Sequence, residues 1–448
     1  MGNKTKLFLL FLGDVVMLYA ALFATLALRY GGGFWEEFED VHAVPFSILF
    51  IFWLLIFYVA GLYDLRRLRN NLDFLKTLAL SLVATAVISI LAFYLIPELG
   101  IAPKTNLFIF IVIFAVIEIF WRRLFNRLTE SGEAPNRTLL VGSGTTAEEA
   151  AMTVEGNPQL GYTIAAHMTE DEASGAPAHL EKVVAAHRVN LIVVPRALKR
   201  KAALAPELYK LFGTGITIID LDNFYEIIMR KVPLGDVEEA WFLENIENAA
   251  KFYDPFKRAL EFLVALVGGV ILLPIELLIA LIVAVTSRGP VLIRQKRVGA
   301  LGREFTLYKF RSMVALAPDG QAETKGAEWA RPGDLRVTPF GRFIRASHLD
   351  ELPQFWNVIR GDISFVGPRA ERPEFVRDLK AKIPFYEVRL LVKPGVTGWA
   401  QLNHRADLSL DDVKQKLQYD VYYLKNRSPI LDVAIVLKTL KSFFVNPK

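Results

Sequence analysis

Two adjacent carboxylates, Asp350 and Glu351, are the residues of this sequence whose type and spacing best suit chemistry. They lie in the segment 348–369, HLDELPQFWNVIRGDISFVGPR, where Pro353 is placed to begin a short helix and Gly361 to end it. The positive end of a helix favours ionised carboxylates and attracts anions. One carboxylate is therefore a candidate nucleophile, and its neighbour is a candidate ligand for a divalent cation. An isolated acidic pair more often caps a helix, so the surrounding residues decide.

Several basic residues flank the carboxylates in the sequence and are candidates for binding phosphate. Lys309 and Arg311 alternate along EFTLYKFR, so an extended strand would place them on one face, about 7 Å apart, a spacing suited to a pyrophosphate. Arg345 lies shortly before the carboxylates, Arg369 ends a Gly-Pro-Arg turn, and Arg405 follows an Asn-His pair. Arg345, Arg369 and Arg405 would complete a cationic cage around the carboxylates. The alternatives are that a single surface arginine is only solvated and that Lys309 and Arg311 protect a solvated strand edge, so the surrounding motifs decide.

Short motifs follow one another from Tyr308 to Asn426. They are YKFRSM (Tyr308 to Met313), GRFIRASHLDELPQ (Gly341 to Gln354), DISFVGPR (Asp362 to Arg369), ERPEF (Glu371 to Phe375), KPGVTGWAQLN (Lys393 to Asn403) and YDVYYLKN (Tyr419 to Asn426). In this order they resemble the bacterial sugar transferases, the polyprenyl-phosphate glycosylphosphotransferases of monotopic type. The whole chain is similar to the long form of that family, in which a membrane bundle and a nucleotide-binding-like domain precede the catalytic domain.

The resemblance implies a phosphoglycosyl transferase in the first membrane step of exopolysaccharide, capsule or O-antigen synthesis. It would use a UDP-sugar and undecaprenyl phosphate and give undecaprenyl-diphosphate-sugar and UMP. Asp350 would form an aspartyl-phosphosugar intermediate, and Glu351 would hold Mg²⁺. The substrate-binding residues would be Lys309, Arg311, Arg345, Arg369 and Arg405. Uridine follows from the resemblance alone, and no residue identifies the sugar.

The composition is typical of a membrane protein. Of the 448 residues, 53% are hydrophobic and 32 are Phe, and the apolar residues form long runs. Because the chain has no cysteine, a disulfide framework, a thiolate metal site and a thiol nucleophile are excluded. The net charge is +5, and the sequence contains neither a basic arm nor zinc-finger spacing. Nucleic acid is therefore not expected as a partner, whereas anionic membrane lipids are.

The start of the chain predicts a four-helix transmembrane bundle over residues 1–128. Its apolar runs are Leu7 to Leu28, Val44 to Leu62, Leu78 to Ile96, and Leu107 to Trp121. Basic and acidic loops alternate between the runs, and basic loops stay in the cytoplasm. We therefore expect everything after the bundle on the cytoplasmic face of a bacterial inner membrane. Asp14 and Glu118 lie within the runs, where acidic residues often serve a function, but each lies close to a polar partner or to the interface, which favours a structural role.

A change of hydrophobic period predicts an α/β Rossmann-like domain over residues 136–250. The segments RTLLVGSG, NLIVVP and GITIIDLD are typical of buried parallel strands. Gly142, Gly144 and Ala147 fit a permissive form of the dinucleotide fingerprint, which alone is weak evidence for a ligand. We expect a spacer or oligomerisation domain that keeps the fold without the nucleotide. A homodimer through this domain or the bundle is the working hypothesis.

Residues 255–448 are expected to form a mostly α (α+β) catalytic domain that includes a re-entrant membrane helix over 259–286. The apolar run Phe262 to Thr286 contains Pro274 and has basic residues at both ends, so a crossing would put one basic end outside the cell. A helix that breaks at Pro274 and returns to the same leaflet keeps the carboxylates on the cytoplasmic side. A hairpin from VLIRQKRV to EFTLYKF is expected to follow.

Two other functions stay open. A nucleotide-sugar epimerase or dehydrogenase would use the Rossmann-like region, but it would require a complete glycine fingerprint and a Tyr-x-x-x-Lys pair, which Tyr225 to Met229 does not supply. A non-enzymatic membrane scaffold would need no carboxylate pair. Replacing Asp350 by asparagine separates this last alternative from an enzyme, because a scaffold would keep its full activity.

Overall fold

The computed structural model describes residues 3–63, 72–95, 105–130, 136–246, 253–314, 336–404 and 409–445. The chain divides into two compact units, an N-terminal unit of Met1–Met229 and a C-terminal unit of Arg230–Lys448. The helices are α1 (Asn3–Tyr30), α2 (Phe34–Glu37), α3 (Ala43–Ala60), α4 (Leu72–Leu95), α5 (Asn106–Glu130), α6 (Thr145–Gly156), α7 (Glu170–Gly175), α8 (Pro177–Ala186), α9 (Arg196–Lys199), α10 (Ala205–Gly213), α11 (Leu221–Met229), α12 (Glu239–Ile246), α13 (Tyr253–Thr286), α14 (Pro339–Ala346), α15 (Gln354–Arg360), α16 (Pro373–Lys382), α17 (Trp399–Asn403), α18 (Leu410–Asn426) and α19 (Pro429–Val445). The strands are β1 (Asn136–Val141), β2 (Tyr162–Met168), β3 (Leu191–Val194), β4 (Thr217–Asp220), β5 (Leu292–Val298), β6 (Glu304–Phe310), β7 (Ser364–Val366) and β8 (Gly395–Thr397).

Apolar helices make up the first part of the N-terminal unit. Each of the four predicted apolar runs coincides over most of its described length with a helix, namely α1, α3, α4 or α5. Within the described residues, the helical segments long and apolar enough to span a membrane are Thr5–Ala60, Phe74–Phe93 and Tyr253–Thr286. The protein is therefore a mostly helical membrane protein, and the predicted number of crossings stays a prediction.

A buried polar cluster, here called the bundle cluster, joins α1 to α5 and consists of Asp14, Tyr63, Glu118, Trp121 and Arg122. Arg122 is fully buried and donates hydrogen bonds to Glu118 at 2.6 Å, to a backbone carbonyl after α3 at 2.8 Å, and to Asp14. Asp14 also accepts from Tyr63 at 2.6 Å and from Trp121 at 3.0 Å. The two acids singled out in the sequence thus share one arginine, an arrangement suited to fixing how the helices pack.

The N-terminal unit also contains a four-stranded parallel sheet in the order β2-β1-β3-β4. Alternate residues of β1 and β3 are buried against opposite faces, with α8 and α10 on one face and α6 and α11 on the other. Three strands coincide with predicted segments. The strand β2 was not predicted. It lies at the sheet edge, its residues are mostly half-buried, and its pairing with β1 is irregular after Thr138. A Rossmann-like domain and the three domain boundaries stay predictions.

The long apolar helix α13 has 34 residues and runs through Pro274 without a gap. A proline removes only one backbone donor, so the other hydrogen bonds of the helix can continue. The predicted break therefore does not divide this segment into two helices, and its re-entrant course stays a prediction. Side chains close to Pro274, such as Ile271 and Leu277, are exposed.

Both halves of α13 pack against the rest of the C-terminal unit. Ala265, in the first half, is buried in a cluster with β6 and α15. Ile279 and Val283, in the second half, are buried in a cluster with α14. Gly268 permits the close contact with α15, because a Cβ at this position would lie 2.9 Å from the ring of Phe355. The helix therefore supports the segments on either side of the two carboxylates.

The predicted hairpin is confirmed as the antiparallel pair β5 and β6, which are joined by the turn at Gly299 to Gly302. The short strands β7 and β8 pair in parallel. The core of the C-terminal unit combines α12, α16 and α18, and Trp241 and Phe242 of α12 lie in it.

Candidate active site

The two carboxylates, hereafter the dyad (Asp350 and Glu351), lie in the 3-10 turn Leu349–Glu351 between α14 and α15. His348 directly before the turn has a left-handed backbone, with φ of 55°. The helix α15 begins only at Gln354, with Pro353 as its N-cap, and it ends at Gly361. The dyad therefore lies near the N-terminal end of α15, as predicted, but in a separate turn just before the helix.

Asp350 is 9% exposed and stands beside a second carboxylate. Burial raises the pKa of Asp350 to about 6, and Glu351 acts in the same direction, whereas Lys309 and Arg345 oppose the shift. In the described part of the chain, no salt bridge joins the Asp350 carboxylate to a basic side chain. At neutral pH this carboxylate is therefore charged and has no cation directly on it, which suits a nucleophile.

Glu351 is kept ionised by its neighbours. The Lys309 ammonium donates a hydrogen bond to Oε1 of Glu351 at 2.6 Å. Burial works against ionisation, but Lys309 and Arg369 outweigh it and lower the pKa of Glu351 to about 2. Between the two pKa values, one member of the dyad is charged and the other is neutral. The two adjacent acids are thus chemically different, as expected where two carboxylates take different roles.

Arg311 does not join Lys309 at the dyad. The strand β6 ends at Phe310, so the alternation that predicted a shared face no longer applies one residue later. The buried guanidinium of Arg311 donates to the Ser287 carbonyl at 2.7 Å, to the Ser287 hydroxyl at 2.9 Å, and to the carbonyl of Pro290. It therefore binds the chain just after the C-terminal end of α13. Arg405, the last predicted member of the cage, lies outside the described residues.

Two further predicted cations lie near the dyad. Arg345, half-buried on α14, is close enough to oppose the raised pKa of Asp350. Arg369 lies in the turn after β7, exposed to solvent, and is close enough to lower the pKa of Glu351. The structure thus brings Lys309, Arg345 and Arg369 together around the dyad, which gives a site rich in positive charge for a phosphate group.

Comparison with known proteins shows which family the chain belongs to. The model of the family described as bacterial sugar transferase matches residues 252–446. The undecaprenyl-phosphate galactose phosphotransferase of Salmonella typhimurium is 31% identical over 355 residues, which are 73% of this chain and 72% of the relative. The chain belongs to the bacterial sugar transferase family.

Other relatives of this bacterial sugar transferase match over a shorter region. The UDP-N-acetylgalactosamine-undecaprenyl-phosphate N-acetylgalactosaminephosphotransferase of Aeromonas hydrophila is 43% identical over 190 residues, 42% of this chain and 44% of the relative. The UDP-glucose:undecaprenyl-phosphate glucose-1-phosphate transferase of Klebsiella pneumoniae is 38% identical over 193 residues, 43% of this chain and 40% of the relative. The chain therefore matches less than half the length of these two relatives.

In this bacterial sugar transferase, buried side chains hold the turn that carries Arg369. Arg389 donates to the backbone carbonyl of Arg369 at 3.1 Å and pairs with Asp420 of α18 at 2.9 Å. Arg297 of β5 donates to the next backbone carbonyl, also at 2.9 Å. Arg389 and Arg297 were not predicted from the sequence, because the spacing of residues along a chain does not reveal which carbonyl an arginine will reach. The available signal in the sequence was that Asp420, the partner of Arg389, belongs to the motif Tyr419 to Asn426.

A second polar group, here called the clasp, ties the first turn of α13 to β7 and α19. Lys257 donates to the Val366 carbonyl at 2.7 Å and to Tyr423 at 2.8 Å, and it pairs with Asp432 at 2.6 Å. Tyr253 donates to Asp432 at 2.7 Å across a sequence separation of 179 residues. Because Val366 directly precedes the Gly-Pro-Arg turn, the clasp fixes this turn relative to the start of α13.

Proposed function

We propose that this chain transfers a sugar 1-phosphate from a UDP-sugar to undecaprenyl phosphate and releases UMP, in the first membrane step of a surface polysaccharide. The observation that carries the proposal is the unequal dyad: a buried carboxylate with a raised pKa next to a carboxylate fixed by Lys309. The family membership supports it, since the relatives are named as undecaprenyl-phosphate sugar phosphotransferases. The sugar itself stays open, because these relatives carry different sugars in their names.

Asp350 is the proposed nucleophile. One of its carboxylate oxygens attacks the phosphorus nearer the sugar, and the bond from that phosphorus to UMP breaks, with the electron pair leaving on UMP. In the second step an oxygen of undecaprenyl phosphate attacks the same phosphorus, and Asp350 departs as a carboxylate. The acceptor is an ionised phosphate, so neither step needs a general base. A pKa of about 6 leaves most of Asp350 ionised at neutral pH.

Positive charge around the dyad would stabilise the transferred group. Phosphoryl transfer depends on charge neutralisation and alignment more than on proton transfer. Arg345 and Arg369 would contact the phosphate oxygens, and Lys309 would hold Glu351 and approach the same oxygens. The substrate-binding roles of Arg311 and Arg405 stay predictions.

Magnesium fits the residues present. The dyad supplies carboxylate oxygens, and within the described residues no group of three or more acidic or imidazole side chains encloses a metal position. Mg²⁺ typically keeps several waters and binds through one or two carboxylates together with substrate phosphates. Glu351 would hold the ion, which would supply positive charge to the phosphate oxygens.

For the membrane arrangement we propose that α13 is re-entrant and that the dyad lies at the cytoplasmic face of the inner membrane, beside anionic lipids. A helix that crossed the bilayer would carry its ends to opposite sides, whereas both halves of α13 pack on one unit. The exposed apolar side chains around Pro274 would then lie in one leaflet. The helices α1, α3, α4 and α5 would form a four-helix bundle, the parallel sheet a Rossmann-like domain, and either could join two copies.

The test is a donor screen with purified protein, undecaprenyl phosphate, Mg²⁺ and a panel of UDP-sugars, in which UMP release is measured. We expect release with one sugar or a small group of sugars, and none from Asp350→Asn. Asp411→Asn, which changes an exposed acid of α18, is the matched control and should keep full activity. With donor alone, mass spectrometry should find the phosphosugar on the peptide that contains Asp350. Folded protein that releases UMP from no donor would refute the proposal.

A further inference from the structure

Asn357 of α15 is a fully buried polar residue with no predicted role. Its side-chain oxygen accepts a hydrogen bond from the backbone N–H of Tyr308 at 3.1 Å. Its side-chain nitrogen donates to the backbone carbonyl of Thr306 at 2.7 Å and to Asp362 at 3.0 Å. Both N–H donors of the amide are therefore used, and the amide orientation is fixed, because the Thr306 carbonyl can only accept and the Tyr308 N–H can only donate.

These bonds attach α15 to the edge of β6. The other edge of β6 pairs with β5, and the two-stranded sheet contains no further strand among the described residues. A backbone N–H and a carbonyl two residues apart on a strand edge are the groups that a neighbouring strand would pair with. The amide of Asn357 takes the place of that strand. An unpaired group at this buried position would cost about 1–3 kcal/mol.

The attachment lies next to the Lys309–Glu351 ion pair. Tyr308, whose N–H is bound by Asn357, is the residue before Lys309. The dyad precedes α15, so Glu351 and Asn357 belong to one short segment of chain. The 2.6 Å bond from Lys309 to Glu351 and the bonds of Asn357 to β6 thus hold the same two segments together at neighbouring points. Leu307 and Val358, both buried in one apolar cluster, keep the segments in contact without fixing their register.

We infer that Asn357 is a positioning residue: it sets the register of β6 against α15 so that the Lys309 ammonium stays on Glu351 and off Asp350. The free Asp350 carboxylate then remains available as a nucleophile. A lysine side chain is long and flexible, so its ammonium needs a fixed backbone to favour one of two adjacent carboxylates. The kinetic part of this inference rests on the proposed function, whereas its geometric part does not.

The first test measures the geometry without activity. Trace acetylation of lysines, followed by mass spectrometry, reports how far the Lys309 amine is protected by its bond to Glu351. Asn357→Ala should raise the labelling rate of Lys309 roughly tenfold, the factor that corresponds to the loss of about one buried hydrogen bond. Asn245→Ala is the matched control, since within the described residues Asn245 donates to the Trp241 carbonyl of its own helix at 2.8 Å, and it should leave Lys309 labelling unchanged.

The second test is a double-variant cycle on kcat/KM for the donor. Asn357→Ala should lower kcat/KM, because the Lys309 ammonium can then pair with Asp350 and occupy the nucleophile. If Asn357 acts through Lys309, adding Asn357→Ala to Lys309→Met should produce little further loss. A merely structural asparagine would lower kcat/KM by the same factor with or without Lys309.

A third variant keeps the inference testable should Asn357→Ala fold poorly. Asn357→Asp preserves the side-chain size and the acceptor for Tyr308, but it sets a second carboxylate beside Asp362. The double variant Asn357→Asp with Asp362→Asn removes that repulsion and should recover part of the lost activity and of the Lys309 protection.

The outcomes separate the inference from the proposed function. If Lys309 labelling depends on Asn357 but the protein releases UMP from no donor, the inference stands and the proposed function is refuted. Active enzyme in which Asn357→Ala changes neither Lys309 labelling nor kcat/KM would overturn the inference alone.

Discussion

The bundle cluster and the dyad each place two carboxylates next to one directly bonded basic side chain, but the bonds are distributed differently. In the bundle cluster, Arg122 bonds to both Asp14 and Glu118. At the dyad, Lys309 bonds to Glu351 and leaves Asp350 without a salt bridge to any described residue. The first arrangement leaves no carboxylate free for a substrate, whereas the second leaves one.

The chemistry of the two cations explains the difference. The planar guanidinium of Arg122 has several donors in fixed directions and can serve two carboxylates at once, whereas the Lys309 ammonium is a compact point charge. Asp14 also receives hydrogen bonds from Tyr63 and Trp121. A pair of buried acids therefore does not by itself identify a reactive site. The informative feature is a carboxylate that its neighbours leave unpaired.

Removing the unpaired carboxylate should have the largest effect. Asp350→Asn should lower UMP release by roughly 10⁴-fold or more, the range seen when a nucleophile is deleted. The physical reason is that the amide cannot form the phosphosugar intermediate. A steady-state assay on protein of confirmed folding, compared with Asp411→Asn, measures it. Activity close to that of the unaltered protein would place the nucleophile elsewhere.

Removing the shared cation of the bundle cluster should mainly affect stability. Arg122→Met leaves Asp14 and Glu118 buried without a basic partner, and breaking a buried pair in this way costs about 3–5 kcal/mol. Unfolding in detergent by denaturant measures the loss. The exposed neighbour provides the control, since Arg123→Met should change stability little. The neutral triple variant Asp14→Asn, Glu118→Gln, Arg122→Met should recover most of the loss, and its failure to do so would contradict this interpretation.

Removing the cation of the dyad should have an intermediate effect on catalysis. Lys309→Met takes away a charge that opposes the raised pKa of Asp350, so less of the carboxylate is ionised at a given pH. We expect kcat/KM at pH 7 to fall roughly 10- to 100-fold, which corresponds to about 1.4–2.7 kcal/mol. The acid limb should also move to higher pH. Lys296→Met, on the exposed face of β5, is the control, and an equal loss in both variants would argue against a specific role for Lys309.

The smallest predicted effect concerns the cost of keeping Asp350 buried. Its pKa rises from an ordinary value of 3.8 to about 6 on folding. The protonated carboxyl therefore contributes stability that is fully present below pH 3.8 and is lost as the pH rises through about 6. Asp350→Asn should therefore stabilise the protein at pH 7 by about 1–3 kcal/mol.

Denaturant unfolding at several pH values tests the sign. The gain from Asp350→Asn should shrink as the pH falls from 7 towards 4. Asp420, whose pKa burial also raises to about 6 in spite of Arg389, keeps its own pH dependence in both proteins and serves as an internal reference. A variant that is less stable than the unaltered protein at pH 7 would mean that the buried charge is well solvated.

Features that depend on local sequence were predictable. The apolar runs became helices, the hairpin of β5 and β6 formed around a glycine-containing turn, and the strongly apolar strands β1, β3 and β4 were located. The edge strand β2 was missed because an edge strand needs less apolar sequence. The dyad was predicted from its motif, but the 3-10 turn that carries it was not. A proline is tolerated both in the first turn of a helix and at the N-cap just before it, so Pro353 did not fix where α15 begins.

Features that depend on distant partners were not predictable. Strand alternation placed Arg311 beside Lys309, yet the strand ends one residue earlier and Arg311 reaches Ser287 and Pro290. The bonds of Asn357 to β6 and of Arg389 to the turn of Arg369 join segments that are far apart in sequence. A pattern read along the chain specifies which side chains are polar, but tertiary packing decides which groups they meet.

The clasp has a consequence for how this protein is made. Tyr253 and Asp432 are separated by 179 residues, so the first turn of α13 leaves the ribosome long before its partner exists. At ordinary rates of synthesis the delay is roughly 10–40 s. During that time Lys257 lacks its partner Asp432. With α13 in the membrane as proposed, the lipid bilayer shelters its exposed apolar side chains before the catalytic fold is complete, and newly made chains deprived of lipid would expose this helix to aggregation.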